Sequence, residues 1–297
     1  MKYILSFIFA TSFINPVLAK TPEVSNTIQE NLGKLEKQFT GKIGVYGINT
    51  NNNQVIQYRS SERFPVQSTF KLIGVAALLK QSEKNKSLLQ EKIYYTENDL
   101  VFWHPITGKY MANGMTLEAL SEASISYSDN SAINLIMKKL GGPKFITEFA
   151  QSIGNTTFNI KHYESNLNSD PKKDDDTSTP KDMAISLQKL TLGNSLAKLQ
   201  QTKLITWMKN NTTSYKRIRA GVPIGWTVAD KTGSGDYGIA NDIGIMWSPM
   251  CKPIVLAIYS VQNKPNAKGK DDIVASVTKI IFDEFAKNDP CFKSLSS

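Results

Sequence analysis

Ser68 and Lys71 stand three residues apart at the head of a long apolar run, Leu72 to Leu79. On a helix that spacing puts both side chains on one face. A cation in the first turn opposes the helix dipole, and lysine is rarely buried. Beside Ser68 it has a use, because a desolvated lysine can shed its proton and activate a hydroxyl. The spacing alone is weak: it recurs at Ser169, Ser178, Ser186, Ser195 and Ser276, and a lysine snorkelling from a core helix looks the same. Two further stretches change the balance. Ser128-Asp129-Asn130 precedes a helical segment, where it would also serve as an ordinary N-cap. Lys231-Thr232-Gly233-Ser234 ends a strand-like segment, where the lysine would also guard an edge. Each of these tripeptides, Ser-Asp-Asn and Lys-Thr-Gly, occurs once, in fixed order after Ser68, and the conjunction is far rarer than any one part.

The elements that must hold these residues can be read along the chain. Thr27 to Phe39 has a helical apolar period, and Lys42 to Asn49 and Gln54 to Tyr58 read as strands joined at an Asn-rich turn. The run from Ser68 predicts a helix buried on all sides. Gln81 to Gln90 reads as a polar, solvated connection, and Tyr94 to Gly114 as irregular chain. Helices are expected over Thr116 to Ser124, Ser131 to Leu140, Lys144 to Ile153, Pro180 to Leu190 and Leu196 to Lys209. Between them, Asn155 to Thr179 is a long aperiodic loop, a length that often serves function. Trp226 to Ser234, Ile239 to Ser248 and Pro253 to Val261 read as strands, and Asp272 to Lys287 as a last helix. Front and back strands then join into a five-stranded antiparallel sheet flanked by the terminal helices, an α/β fold in two parts with an inserted all-helical domain. The expected division is 20–66 with 210–297 for the sheet part and 67–209 for the helical part, including the loop 160–179. The cleft between the parts is the natural place for a site.

Composition narrows the function. The net charge of +9 comes from scattered lysines, and Arg59, Arg63, Arg217 and Arg219 are the only arginines, so a clustered nucleic-acid surface is not expected. A cationic balance fits a small anionic substrate. The two histidines, His104 and His162, are too few for a histidine-rich metal site. Lys2, the apolar Ile4 to Ile14 and Val17-Leu18-Ala19 read as a signal peptide over residues 1–19, which implies a secreted or periplasmic protein with no membrane span after cleavage. In an oxidising compartment Cys251 and Cys291 can pair. The strand from Pro253 spans about 30 Å at roughly 3.3 Å per residue. The last helix spans about 24 Å at roughly 1.5 Å per residue. If the helix runs back along the strand, the two cysteines finish at one end, and a disulfide is expected.

The Ser-x-x-Lys, Ser-Asp-Asn and Lys-Thr-Gly trio is shared by class A β-lactamases and penicillin-binding proteins. The sequence resembles a class A serine β-lactamase over nearly the whole mature chain. Within the long loop, Glu164-Ser165-Asn166-Leu167-Asn168 resembles that family's Glu-x-x-Leu-Asn, and Asp176 to Pro180 resembles the loop's closing segment. The resemblance implies hydrolysis of penicillins and cephalosporins through a serine acyl-enzyme, without a cofactor or metal. It makes Ser68 the nucleophile, Lys71 a base or proton relay, Ser128 the proton donor to the lactam nitrogen and Glu164 a general base, with the acylation base open between Lys71 and Glu164. The backbone N–H groups of Ser68 and Ser234 would form the oxyanion hole. It further implies that Asn130 holds the substrate's side-chain amide, that Lys231, Thr232, Ser234 and Arg217 bind its carboxylate, that Asn168 shares the hydrolytic water with Glu164, and that Trp103 walls the cleft mouth. A monomer is expected.

Three departures stand out. The loop opens on His162 where the family usually has an arginine paired with the closing aspartate, and the segment to Asp176 is one residue short. The positions of a cysteine pair found in some carbapenem-hydrolysing members are Gln67 and Gly235. Ser234 after Lys-Thr-Gly resembles members active on cephalosporins. Two other readings share the trio: a D-alanyl-D-alanine peptidase or transpeptidase, and a β-lactam sensor that stays acylated. Glu164 separates them from a hydrolase.

Overall fold

Short runs rich in apolar residues lay down the strands, the central ones buried on both faces, and their pairing builds one sheet. A computed structural model describes residues 26–293; the expected signal peptide lies outside the described residues. Strands β1 (Gly41–Asn49), β2 (Gln54–Tyr58), β3 (Thr227–Gly235), β4 (Ile239–Trp247) and β5 (Ile254–Gln262) pair antiparallel in the order β2-β1-β5-β4-β3. The first hairpin therefore docks against the last strand in the sequence, as Val45 opposite Ile258 illustrates. Helices α1 (Asn26–Phe39) and α8 (Asp271–Asn288) cover one face. Ile28, Leu32 and Phe39 there meet Ile43, Ile281 and Phe285 in one core cluster.

The other face packs on the helical layer. It comprises α2 (Lys71–Lys84), α3 (Leu117–Ser126), α4 (Asn130–Leu140), α5 (Pro143–Ser152), α6 (Pro180–Thr191) and α7 (Lys198–Lys209). Helix α2 is buried without a break from Lys71 to Leu79, as its unbroken apolar run requires. It is entered through a 3₁₀ turn, Gln67–Phe70, so Ser68 lies on that turn and Lys71 is the first α-helical residue. The polar stretch after it is not a solvated connection throughout: α2 continues to Lys84, and Leu88 and Leu89 tuck into the core from a second 3₁₀ turn. The two leucines outweigh the lysines around them because burying each removes a large apolar surface from water.

Caps set the helix starts that matter. Asp129 caps α4, its carboxylate accepting the Ala132 N–H at 2.9 Å, and its other contacts tie down Ile106 and Thr107. Thr179 caps α6 at the end of the long loop, where Thr177–Ser178 pairs with Phe64–Pro65. Two glycines permit the close approaches. A Cβ at Gly74 would lie 2.9 Å from Ile133, so its absence lets α4 close on α2. A Cβ at Gly233 would lie 2.9 Å from the Val66 carbonyl, so its absence lets β3 close on the serine turn.

Candidate active site

These approaches bring the serine turn, the start of α4, the long loop and β3 to one cleft of about 640 Å³. Its lining includes Ser68, Trp103, Ser128, Asn130, Thr213 and Ser234. Ser68 Oγ lies at the centre. It donates to Glu164 Oε1 at 3.0 Å and accepts from Lys71 Nζ at 2.8 Å. Lys71 is fully buried and is ringed by acceptors: the Ser128 carbonyl at 2.8 Å, Asn130 Oδ1, and Glu164 Oε1 at 3.1 Å. Burial draws its pKa below the ordinary lysine value, while the Glu164 and Asp129 charges resist that shift.

A second buried lysine comes from the sheet. Lys231 Nζ donates to Ser128 Oγ at 3.0 Å, and Lys71 Nζ reaches the same oxygen at 3.3 Å. Burial first, and then the Lys71 charge, pull the Lys231 pKa well below the ordinary lysine value against Asp242, Glu164 and Asp230. Ser128 itself holds a left-handed φ of 57°, a conformation that costs a non-glycine residue about 1–2 kcal/mol and turns its hydroxyl between the lysines.

Beyond the lysines the cleft is polar. Thr232 Oγ1 shares a hydrogen bond with Thr213 Oγ1 at 2.5 Å. Arg217 is buried behind β3; its Nη2 donates to Ser234 Oγ at 2.6 Å, its Nη1 to the Gly233 and Asn241 carbonyls, and its Nε to Asp271. Asp242, fully buried beneath this group, accepts the Ile218 N–H at 3.1 Å; burial and the Asp230 charge push its carboxyl well above the usual range. Trp103, half-exposed, walls the cleft and donates its indole N–H to the Tyr127 carbonyl. Among the described residues no three His, Cys, Asp or Glu side chains are grouped to hold a metal ion.

Ten of the eleven residues named from the sequence thus meet at or directly behind the cleft. Asn168 stands apart. Its amide nitrogen donates to the Asp170 and Asp175 carbonyls, and its oxygen accepts the Asp170 N–H, so the carboxamide is turned into the loop rather than toward Glu164. Buried Asn134 instead grips Glu164, donating to its carbonyl at 2.6 Å and accepting its N–H at 3.0 Å. Asn134 and Thr213 were not foreseen. Asn134 carries a local signal, lying four residues past Asn130 on α4; Thr213 carries none. The loop closes on Asp176, whose buried carboxylate takes the Lys161, His162 and Asn168 N–H groups, with His162 Nδ1 at 2.6 Å. The expected disulfide is present: Cys251 and Cys291 are joined, with Cα atoms 5.9 Å apart.

A hydroxyl set between a buried lysine and a buried carboxylate, at the seam of a sheet and a helical layer, has the chemistry of an acyl-transfer hydrolase. Comparison with known proteins makes the class specific. Residues 24–285 match the model of the β-lactamase enzyme family. A β-lactamase of Proteus vulgaris is 47% identical over 266 residues, covering 88% of this chain and 97% of that protein. One of Citrobacter koseri is 46% identical over 279 residues, 94% of each chain. The crystal structure of a β-lactamase from Desulfarculus baarsii superposes with a TM-score of 0.86 at 38% identity, over 87% of this chain and 97% of that one. The chain belongs to the β-lactamase enzyme family and is a class A β-lactamase, a hydrolase of β-lactams.

Proposed function

We propose that this enzyme hydrolyses penicillins and cephalosporins through an acyl-enzyme on Ser68, with Glu164 as the base in both half-reactions. The observation that carries this is the pair of contacts on Ser68 Oγ, which accepts from Lys71 and donates to Glu164. Lys71 is ringed by Ser68 Oγ, the Ser128 carbonyl, Asn130 Oδ1 and Glu164 Oε1, all acceptors, which favours the ammonium form at rest. An ammonium cannot take the serine proton; the Glu164 carboxylate can. Ser68 then attacks the lactam carbonyl, and the carbonyl–nitrogen bond breaks. Ser128 passes its proton to the departing nitrogen and is resupplied by Lys71, 3.3 Å away. Lys71, now neutral, takes from Glu164, 3.1 Å away, the proton that came from Ser68, which restores the carboxylate. Glu164 then takes a proton from water as that water attacks the ester, and that proton passes to Ser68 Oγ as the ester breaks.

The substrate carboxylate is read by Lys231, Thr232 and Ser234, with Arg217 behind them supplying positive charge. Asn130 is the polar group facing the acyl side chain, and Trp103 supplies an apolar wall. The basic N-terminal stretch followed by a short apolar run supports export to the periplasm or beyond, and the disulfide fits an oxidising compartment. Among the described residues no helix is long and apolar enough to cross a membrane. We read the mature protein as a monomer free of the membrane.

Glu164→Ala tests the mechanism. A positioned general base is worth about 10² to 10⁴ in rate, so the variant should lose that factor in each half-reaction, leaving near-zero turnover and, after long incubation with a good penicillin, an undischarged acyl-enzyme. Mass spectrometry should find one drug mass on Ser68, persisting for minutes, and none in Ser68→Ala. Turnover of Glu164→Ala near the wild-type rate would overturn the base assignment. A long-lived adduct on the wild-type protein would instead favour a peptidase or a sensor.

A further inference from the structure

The two hydroxyls that β3 turns to the substrate carboxylate are not poised alike. Ser234 Oγ accepts from Arg217 Nη2 at 2.6 Å, so its own proton stays available to a ligand. Thr232, two residues back on the same face of the strand, is held from another side. Its hydroxyl meets Thr213 Oγ1, on the connection that follows α7. Groups further back fix which of the two threonines donates. Asn211, buried, sends its Nδ2 to the Asp230 carboxylate at 3.0 Å, where Ser214 and Arg219 also donate. The atom of Asn211 that faces Thr213 is therefore its oxygen. The Thr213 backbone N–H, which can only donate, points at that same atom at 3.0 Å. The Thr213 hydroxyl donates to it as well, at 2.8 Å. A hydroxyl has one proton. Thr213 spends its own on Asn211, so toward Thr232 it can only accept, and Thr232 must donate.

The chain Asp230–Asn211–Thr213 thus ends by drawing the Thr232 proton away from the cleft. At rest Thr232 shows the cleft its lone pairs, which a carboxylate cannot use. To hold the carboxylate, Thr232 must swing its proton from Thr213 to the ligand. Asn211 Oδ1 keeps both of its donors in that exchange, and Thr213 gives up only a bond that it accepted. The exchange is therefore open, and its cost is one hydrogen bond. We propose that Thr213 is a positioning residue that sets the affinity for the substrate carboxylate by competing with it for the Thr232 proton. The proposal rests on the carboxylate reading given above and adds to it a residue that holds the site back. Thr213 acts through the direction of one O–H bond and touches no reacting atom in this scheme.

The test is a double-variant cycle read by KM and kcat for benzylpenicillin. Thr213→Ala removes the competing acceptor. It should lower KM by about threefold to tenfold, the worth of one neutral hydrogen bond, with kcat unmoved. Thr213→Val removes the same lone pairs while keeping the branch; it should act alike and serves if Thr213→Ala does not fold. Thr213→Ser restores the hydroxyl and should restore the wild-type KM, which a role in packing alone would not require. The effect must also pass through Thr232. Thr232→Val should raise KM, and Thr213→Ala added to it should then change nothing. An unchanged or raised KM in folded Thr213→Ala and Thr213→Val, or a fall in KM that persists in the Thr232→Val background, would overturn the competition while leaving Thr232 as a carboxylate ligand. If Thr232→Val leaves KM as it was both alone and with Thr213→Ala, Thr232 does not hold the carboxylate, and the reading beneath the proposal falls with it.

Discussion

Two lysines point at one hydroxyl in this site, and their burial sets different tasks for them. Lys71 is held by a carboxylate and by the neutral acceptors Ser68 Oγ, the Ser128 carbonyl and Asn130 Oδ1, so its charge has partners inside the protein. Lys231 donates to Ser128 Oγ and its neighbour's carbonyl, and its pKa is depressed well below the ordinary lysine value by burial and by Lys71. A depressed lysine keeps its charge only below its folded pKa and loses it as pH rises through that value. The attraction for a substrate carboxylate should fade over the same window. We therefore expect KM for a carboxylate-bearing penicillin to climb on the alkaline side, starting well short of the ordinary lysine range. The methyl ester of the same penicillin, lacking the charge, should bind more weakly and show no such climb. A KM that stays flat up to the ordinary lysine range, or that climbs equally for the ester, would remove Lys231 from carboxylate binding.

At the scale of elements, the long loop is organised from its closing end. Asp176 is fully buried with a left-handed φ of 56°, and its carboxylate gathers three backbone N–H groups from the loop's opening and middle. Each hydrogen bond to a charged acceptor is worth about 1.5–3 kcal/mol, and an orphaned buried donor costs about as much. Asp176→Ala should therefore loosen the loop and with it Glu164. We expect kcat to fall by about tenfold or more with accumulation of acyl-enzyme, bounded by the roughly 10² to 10⁴ of losing a positioned base outright. Hydrogen exchange should quicken across the loop and stay unchanged in α2. His162→Ala should be milder, since it removes one contact from a half-exposed ring and leaves the backbone N–H groups on Asp176 in place. Normal turnover and normal loop protection in Asp176→Ala would refute this account. Much of this architecture is legible in the sequence. The unbroken apolar run announces α2, the short apolar runs between turn residues announce the sheet, and the rarity of the three motifs together announces the cleft. Contacts between distant segments are not legible. Nothing local says that Gln67 meets Asn168 and Ser169, 101 and 102 residues away, or that Thr213 meets Thr232. The amide of Asn168 goes to the Asp170 and Asp175 carbonyls because the loop's own backbone needs a donor there, a demand that no spacing rule displays.

The molecule as a whole has two poles, and β3 runs between them. One end of β3 carries Lys231, Thr232 and Ser234 into the cleft. The other is entered from Trp226, whose ring packs edge-on against Phe282 at 4.7 Å and stacks on Phe292 at 5.5 Å. Phe292 is held there by the short helical turn Pro290–Lys293, which the Cys251–Cys291 disulfide ties to the β4–β5 turn. Asp289 adds hydrogen bonds from the Asn49 and Asn51 side chains, so the end of the described chain is fastened to both hairpins. From Thr227 to Ser234 a strand covers roughly 23 Å at about 3.3 Å per residue, which separates this clamp from the chemistry. The disulfide closes a loop with a sequence separation of 40, for which chain entropy gives about 4 kcal/mol. Spread over the unfolding entropy of a chain of this size, that is a fall of about 7 °C in Tm. We expect Cys251→Ser with Cys291→Ser to lower Tm by that order while leaving kcat and KM at 25 °C as they were. Phe292→Ala should lower Tm further still in the double variant, because the aromatic stack and the disulfide hold the same turn by different means. A loss of kcat at 25 °C without a fall in Tm would mean that the clamp reaches the cleft through β3, and the separation of stability from chemistry argued here would fail.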